Sequence, residues 1–482
     1  MQEPAAPFVP AVPSPPAREL PAWEVFRYMR RTIIPTWPRA AYEEMVLRRR
    51  LFGIDTLIVN EPGLVRHVLT TNAANYKRPV RTRRPLRPAL GNGVLLADGT
   101  DWRRQRRMLA PLFTPQHVGR LLTHFMAAGN DLLHSLGDGC FNLSDLLQKA
   151  AVDAICRALF SLSAEGARAT GLPGLLQEFL KGVGRIRVWD VLARSDGDFA
   201  WFMRDRFAFA GRWRQAVDAV ITARRDLPQE AVGRDLLQLL LDARDPEDGS
   251  RLTEEEILDQ VATLLAAGFE TTAQAMFWTL YLLSFDRAAQ DGIRAELDAF
   301  PPGQVSELAD LGRWPALRRA FLEALRLYPT VPFIARAACG PDRLGDIAID
   351  RGAIVFVCPW TIHRHRRFWD APDAFIPARW IGREEQTGNH FLPFGAGPRI
   401  CLGAAFAQAE AMILLGTLLS HFEVSLDDDR PVLPEAVLTT RPSIEPWFRL
   451  HPLDSGSKGL RPLVEVQEAK PPAGVRGSAP AP

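Results

Sequence analysis

Apolar residues recur with a helical period over most of the chain. Their spacing of roughly three to four residues is typical of helices with one buried face. Pro62 suits the first turn of its helix, where a missing N–H costs nothing. The pattern predicts helices over residues 40–51, 62–69, 101–135, 143–160, 172–185, 197–224, 233–243, 254–285, 315–327 and 402–421.

Patterns typical of β-strands are fewer. Residues 52–59 alternate loosely between apolar and polar positions, which indicates a strand. Residues 346–350 and 353–357 flank Arg351-Gly352, and this arrangement predicts a hairpin. The expected fold class is mainly α with a minor β part, an α+β fold with a long central helix and a small β-sheet region.

The predicted helix 254–285 is unusually long for a globular protein. Thr253 as N-cap, with Glu256 three positions later, forms a capping-box sequence. Its second half is apolar enough to suggest a membrane span, but it contains Glu270 and Gln274. Because a carboxylate at the bilayer centre costs roughly 3 kcal/mol, we expect a buried helix and no transmembrane anchor.

Composition indicates one globular unit. Of 482 residues, 47% are hydrophobic and 24% are charged, so the chain can bury a large core. No linker or repeat divides it. We expect an extended Pro-rich lead over 1–22, a single domain over 23–469 and a disordered tail over 470–482.

Charge and cysteine content exclude several classes of protein. The net charge of +2 argues against a nucleic-acid binder. The five cysteines are scattered and form no C-x-x-C pair, so a zinc ribbon or a disulfide framework is not expected, and a reducing compartment fits. The N-terminus lacks the apolar stretch of a secretory signal.

The segment 394–403 is the most informative part of the sequence. Its glycines and one proline surround Cys401 in a low-bulk loop just before a predicted helix. Backbone N–H groups and the helix dipole would stabilise a thiolate there. A single thiolate does not suit zinc but suits the axial position of a haem iron, and Arg399 could reach an anionic group on the same cofactor.

An acid and an alcohol stand side by side within the long helix. Glu270 and Thr271 could hold water and relay protons into a dry pocket. Gly268 could remove bulk where a cofactor or small ligand meets the helix. The alternative is that Thr271 bonds a carbonyl of its own helix and that Glu270 lies on a solvated face.

Taken together, the motifs resemble those of the cytochrome P450 superfamily, in particular its soluble, bacterial-type haem-thiolate monooxygenases. All fixed positions match, and the motifs occur in the family's order. They are W-x-x-x-R at Trp102 and Arg106, A-G-x-E-T-T at 267–272, E-x-x-R at Glu323 and Arg326, F-x-P-x-R-W at 375–380, and F-G-x-G-x-R-x-C-x-G at 394–403.

The resemblance implies a P450 fold, with the long helix over haem b (iron protoporphyrin) and Cys401 as the axial ligand of the iron. It implies Thr271 and Glu270 as the catalytic pair, the alcohol binding dioxygen and the acid delivering protons. It implies that Glu323, Arg326 and Arg379 brace the cysteine loop. The other implied cofactor-binding residues are Trp102, Arg106, Arg336, Arg399, Phe394, Gly395, Gly403, Ala267 and Gly268.

The implied reaction inserts one oxygen atom from dioxygen into a hydrophobic small molecule. The expected substrate-facing residues are mostly apolar: Ala266, Phe269, Phe333, Ile334 and the loop 92–96. Two alternatives remain open. One is a peroxide-using or isomerising haem-thiolate enzyme, against which the acid–alcohol pair argues, and the other is a non-enzymatic haem-binding protein.

Electrons must come from a separate protein, because the chain after Cys401 is too short for a flavin domain or a fused ferredoxin. The expected partner is a ferredoxin or flavodoxin with its reductase. Arg103, Arg104 and Arg107 could bind such an acidic partner. The expected location is cytoplasmic.

Overall fold

The computed structural model describes residues 7–163, 165–166, 170–179, 187–193, 195–227, 235–383 and 388–453. The tail predicted at 470–482 lies outside these residues. So do the end of the helix predicted at 172–185 and the start of that at 233–243.

Helices dominate the described part of the chain, as predicted. In chain order they are α1 Ala22–Met29, α2 Pro62–Arg66, α3 Val80–Arg83, α4 Arg87–Leu90, α5 Gly99–Leu109, α6 Pro115–Gly119, α7 Leu122–His134, α8 Leu143–Phe160, α9 Leu172–Glu178, α10 Val188–Leu192, α11 Arg204–Arg225, α12 Leu236–Asp242, α13 Glu254–Leu283, α14 Arg287–Ala299, α15 Pro315–Leu327, α16 Pro359–Ile362 and α17 Ala404–Leu419.

The strands form small sheets. They are β1 Val46–Leu51, β2 Ile54–Val59, β3 Tyr76–Lys77, β4 Gly139–Asn142, β5 Ile334–Ala338, β6 Asp342–Leu344, β7 Ile347–Ile349, β8 Ile354–Val357, β9 Phe422–Leu426, β10 Pro434–Ala436, β11 Thr440–Pro442 and β12 Trp447–Pro452. The largest sheet has five strands in the order β1-β2-β8-β5-β3, and β4-β12-β9 form a second. The α+β prediction is confirmed.

The helix predicted at 40–51 is wrong. Residues 40–42 belong to a short 3-10 helix, Arg39–Tyr42, and residues 46–51 form β1. β1 pairs with β2 in an antiparallel ladder across Phe52-Gly53, and both turn residues have positive φ (51° and 76°). Backbone pairing and this turn outweigh the local helical spacing.

The predicted hairpin at 346–357 is also wrong in its pairing. β7 pairs with β6 across Gly345, whose φ is +60°, and β8 lies instead between β5 and β2. The span 101–135, predicted as one helix, is α5, a 3-10 turn, α6 and α7. Pro111 and Pro115 begin new short helices because proline cannot donate to a preceding turn.

The long helix α13 forms the centre of the molecule. Its predicted capping box is present, since Thr253 Oγ1 accepts from Glu256 N at 3.2 Å and Glu256 accepts from Thr253 N at 2.8 Å. α13 packs against α8, α15 and α17. The main hydrophobic cluster surrounds it, so one wall of any site beside α13 has a fixed position.

Residues 7–21 have no regular secondary structure and run across the domain. Phe8 stacks on Phe285 with ring centroids 4.0 Å apart, and Phe8 O accepts from Phe375 N at 2.8 Å. The lead is therefore anchored at its described start. Among the helices described, none combines the length and the apolar character needed to cross a bilayer.

Candidate active site

A cavity of about 210 Å³ lies between α13 and the loop that precedes α17. One wall is α13 and the opposite wall is the cysteine loop, residues 394–403. Residues from both walls and from the rim line it: Arg78, Val94, Leu95, Trp102, Arg106, Phe113, Ile155, Leu159, Leu236, Thr263, Leu264, Ala267, Gly268, Thr271, Thr272, Arg336, Arg399, Ile400, Cys401, Leu402, Gly403, Phe406 and Ala407.

The thiol of Cys401 opens into this cavity. Its backbone N–H donates to Phe394 O at 2.9 Å, which closes the loop. Burial raises the pKa of the Cys401 thiol, whereas the Gly403 N–H and the charge of Arg106 lower it. Phe394 and Gly395 belong to the loop but are not among the residues that line the cavity. The Gly403 N–H and the Arg106 charge favour the thiolate form of Cys401.

The cysteine loop makes an unusually close contact at Gly397. A Cβ built there would lie 1.8 Å from Leu69 O, and φ at Gly397 is +72°. Gly395 has almost the same φ, +73°, but its Cβ would meet only Ile334 Cδ1, at an ordinary 3.6 Å. Leu69 therefore sets the position of the loop at Gly397, where a side chain cannot be accommodated.

This pair of glycines gives a matched test. We expect Gly395→Ala to lower the free energy of unfolding by about 1–2 kcal/mol, the usual penalty of a positive φ. Gly397→Ala should cost more, since it adds a backbone clash to the same penalty. Chemical unfolding of both variants measures the difference. Equal losses would show that the contact with Leu69 does not constrain the loop.

Half-buried arginines gather at the rim of the cavity. Burial lowers the pKa of Arg336 to about 9, with Arg78 and Arg399 adding to the effect. Burial likewise lowers the pKa of Arg78 to about 10, with a contribution from Arg399. Arg399 donates to Asp98 Oδ1 at 2.7 Å and lies over the Trp102 ring at 4.4 Å. The cluster carries more positive charge than Asp98 can balance.

Arg78 was not predicted as a site residue. It stands in a run of basic residues, and only its place directly after β3 distinguishes it. β3 pairs with β5, which carries Arg336, and this pairing brings the two guanidinium groups together. The buried Nε of Arg78 has no hydrogen-bond partner among the residues that the structure describes. An unpaired buried cation fits an anionic ligand in the cavity.

The α13 wall presents Ala267, Gly268 and Thr271, as expected, together with Thr272. Thr271 Oγ1 donates to Ala267 O at 2.8 Å, which is the back-bonded geometry considered as the alternative. At Gly268 an added Cβ would lie 2.5 Å from Ile155 Cδ1. The missing side chain at Gly268 thus lets α8 approach α13, in addition to opening the cavity.

Glu270 points away from the cavity. Its Oε1 accepts from Thr439 Oγ1 at 2.7 Å and forms an ion pair with Arg441 Nε at 2.5 Å. Burial raises the pKa of Glu270, while Arg441 and Thr439 act against this. The solvated face considered in the sequence analysis is therefore wrong. Glu270 and Thr271 are neighbours on α13, but their polar atoms bond different partners.

The four expected substrate-facing residues do not line the cavity. The side chain of Phe269 is in the hydrophobic core at 1% exposure, because α13 turns it toward other helices. Phe333 lines a separate apolar cavity beside α1, and Ile334 packs under the cysteine loop. Ala266 is likewise absent from the lining. From the expected loop 92–96, Val94 and Leu95 do line it.

Glu323, Arg326 and Arg379 form one buried cluster, as expected. Glu323 Oε1 accepts from Arg326 Nη2 at 2.8 Å and from Arg379 Nε at 2.9 Å. Trp380 Nε1 donates to Glu323 Oε2 at 2.9 Å. Arg326 Nη1 donates to His363 O, and His363 Nε2 accepts from Leu392 N at 2.8 Å. The cluster thereby connects α15 to the start of the cysteine loop.

The proposed docking arginines are mostly paired within the chain. Arg104 Nη1 bonds Glu256 Oε1 at 2.6 Å, and Arg107 Nη2 lies 2.9 Å from Asp245 Oδ2 and 2.8 Å from Glu247 Oε2. To bind an acidic partner, Arg104 and Arg107 would have to exchange these internal ion pairs, and their role in docking stays a prediction. Arg103 is exposed.

Comparison with known proteins agrees with this geometry. The sequence model of the cytochrome P450 family matches residues 30–445. Cyclooctatin synthase of Streptomyces melanosporofaciens is 30% identical over 389 residues, covering 80% of this chain and 82% of that protein. Cytochrome P450 4F2 of Homo sapiens is 30% identical over 424 residues, covering 81% of this chain and 80% of that protein.

A solved structure shows the same fold. The crystal structure of the haem domain of a cytochrome P450DA mutant superimposes with a TM-score of 0.72 at 26% identity, covering 85% of this chain and 90% of that chain. The family match, the relatives and the shared fold agree with the cysteine loop facing the long helix. The chain therefore belongs to the cytochrome P450 family, and it is a haem-dependent monooxygenase of that family.

Proposed function

We propose that the Cys401 thiolate would hold the iron of haem b and that the chain oxygenates a hydrophobic small molecule. The observation that carries this proposal is the thiol of Cys401 opening into the cavity opposite α13, which half-buried arginines also line. The two walls leave a space that a flat cofactor can enter.

The charge of the rim fits the two propionates of haem. Arg336 and Arg399, with Trp102 and Arg106, were expected to bind them, and Arg78 joins the set. The unpaired Nε of Arg78 and the lowered pKa of Arg336 both indicate cations that need an anion. Arginine binds carboxylates with paired hydrogen bonds. When bound, the haem supplies the oxygen-activating chemistry.

On the α13 side, the chain supplies a hydroxyl and a buried acid. Thr271 Oγ1 can turn from Ala267 O toward the cavity, where it would donate to a ligand atom and accept from water. Glu270 precedes Thr271 on the same helix. Its carboxylate is held by Arg441 and Thr439. We propose that Glu270, on releasing Arg441 and Thr439, binds a proton from solvent and passes it to the cavity through Thr271.

The lining also supports an apolar substrate. Apart from the thiol, the arginines and three threonines, the cavity lining is apolar, which favours a hydrophobic ligand. The side chains responsible are Val94, Leu95, Phe113, Ile155, Leu159, Leu236 and Leu264. These residues replace Phe269 and Phe333 in the proposed pocket.

Electrons are proposed to come from a ferredoxin or flavodoxin with its reductase. The family's reaction needs a redox partner, and Arg103 is the one member of the three expected arginines that stays exposed. Exposed arginines steer acidic proteins toward a docking face. The predicted cytoplasmic location stays a prediction.

The proposed function predicts a specific effect at Thr271. In turnover with a surrogate ferredoxin and its reductase, Thr271→Ala should lower product formation by about 100-fold, within the range for loss of a positioned proton donor. Haem content and the spectrum of the reduced carbon monoxide complex should stay as in the wild type, since Thr271 lies on the wall opposite Cys401.

Thr279 on the same helix provides the control. Its Oγ1 donates to Ala275 O at 2.7 Å, the same back-bond as Thr271, but it is buried in the core. Thr279→Ala should therefore keep its rate of turnover. If both variants lose the same activity, the effect reflects the helix and the role of Thr271 is wrong.

A further inference from the structure

The cysteine loop rests on a π-helical turn, His67–Thr71. Such turns are rare and store one extra residue in a helix, often beside a functional site. Leu69 O of this turn is the atom that leaves no space for a side chain at Gly397, and Thr70 Oγ1 lies close to the same point. Any shift of the turn is therefore transmitted to the loop that carries Cys401.

A single carboxylate holds both ends of the turn. Asp342 Oδ2 accepts from His67 Nε2 at 2.9 Å, at the first residue, and from Asn72 Nδ2 at 3.0 Å, just after the last. It also accepts from Tyr76 OH at 2.6 Å. Burial alone would raise the pKa of Asp342, but the hydrogen bonds from Tyr76 and His67 lower it. An ionised carboxylate with these donors is a strong local anchor.

The same anchor reaches the arginine rim. Tyr76 begins β3, whose pairing with β5 aligns Tyr76 with Ala338. Arg78 follows β3 directly, and Arg336 lies on β5. Asp342 thus fixes, through the π turn and through β3, two of the surfaces that meet at the cavity.

We propose that Asp342 is a positioning residue for the thiolate ligand, acting through the π turn His67–Thr71 on which the cysteine loop packs. This inference rests on the proposed role of Cys401. Residues beyond the direct ligands commonly orient a metal ligand, and their loss weakens the metal site. Asp342 holds such a place, because its hydrogen bonds reach Cys401 only through Leu69 and Gly397.

The test uses the full-length, haem-loaded protein and the variants Asp342→Asn and Tyr76→Phe. For Asp342→Asn we expect haem transfer to an excess of an acceptor apoprotein to be about tenfold faster or more. A larger share of its reduced carbon monoxide complex should show thiol rather than thiolate ligation. Tyr76→Phe, which removes one donor and keeps the carboxylate, should shift both readouts in the same direction by less.

Asp428→Asn is the matched control. Asp428 accepts from Arg430 Nε at 2.8 Å and Nη2 at 2.6 Å, and it lies on the β9–β12 side of the protein. This variant should keep the wild-type spectrum and haem transfer rate. If Asp342→Asn does not fold, the spectrum and haem transfer rate of Tyr76→Phe decide whether Asp342 positions the ligand.

The outcomes separate the two claims. If the wild type shows thiolate ligation but Asp342→Asn and Tyr76→Phe match it in spectrum and haem transfer, the role of Asp342 is wrong and that of Cys401 stands. If the wild type itself lacks thiolate ligation, the proposed role of Cys401 is wrong and this inference falls with it. A thermal shift without a spectral shift also contradicts it.

Discussion

Replacing Cys401 with alanine is expected to abolish the thiolate signature of the reduced carbon monoxide complex and to stop turnover. The variant removes the sulfur that opens into the cavity opposite α13. Losing a residue that only orients a metal ligand lowers metal affinity roughly 10- to 100-fold. Losing the ligand itself should lower haem affinity by more. Absorption spectra of the purified protein, with haem content per chain, measure both effects.

Cys339→Ala is the matched control for this prediction. Cys339 is also partly exposed, but it lies just beyond β5, outside the cavity lining. Its replacement should leave spectrum, haem content and turnover unchanged. An unaltered signature in Cys401→Ala would rule out Cys401 as the ligand.

Glu323→Gln is expected to destabilise the fold by about 3–5 kcal/mol, the cost of breaking a buried ion pair on one side. Both Glu323 and Arg326 have 0% of their side-chain surface exposed. Removing the carboxylate charge leaves Arg326 and Arg379 without their anion. Urea unfolding of variant and wild type, followed by circular dichroism, gives the difference.

The same carboxylate predicts a pH dependence. Burial would raise the pKa of Glu323, but Arg326 and Arg379 lower it below its ordinary value. A lowered folded-state pKa stabilises the protein above the unfolded-state pKa of about 4.3 and loses that contribution as the pH falls further. The wild type should therefore lose more stability than Glu323→Gln between about pH 5 and pH 3.

An exposed pair of the same type separates burial from charge. Glu178 and Arg212 are ion-paired with 43% and 55% of their side-chain surface exposed. Glu178→Gln should change the free energy of unfolding by less than about 1 kcal/mol. A similar loss in both variants would contradict the buried-cluster explanation.

Sequence pattern was sufficient where structure is local. The prediction for 315–327 matches α15 residue for residue, because an amphipathic stretch lies between Pro315 and Pro329. The capping box of α13 was equally readable. Residues 40–51 failed because β1 exists only through its pairing with β2, a partner that local spacing does not reveal.

In the candidate site, too, residues in local motifs were predictable and a residue placed by strand pairing was not. Cys401, Arg106, Arg336, Arg399 and Thr271 were found through motifs, and the structure brings them to one cavity. Arg78 carries no motif, and its position depends on the β3–β5 pairing.

The orientation of Glu270 was not predictable for a related reason. Its partners Thr439 and Arg441 come from the β10–β11 hairpin, far downstream in the chain. Phe269 was misplaced because a one-residue step along α13 turns a side chain from the cavity into the core.

If the rim arginines bind the haem propionates as proposed, their excess positive charge links the abundance of this enzyme to cofactor supply. Repulsion among Arg78, Arg336 and Arg399 opposes folding as long as no anion balances it. A ligand that binds only the native chain stabilises it by mass action. Cells short of porphyrin should therefore hold less of this protein, because more unfolded chain is exposed to proteases.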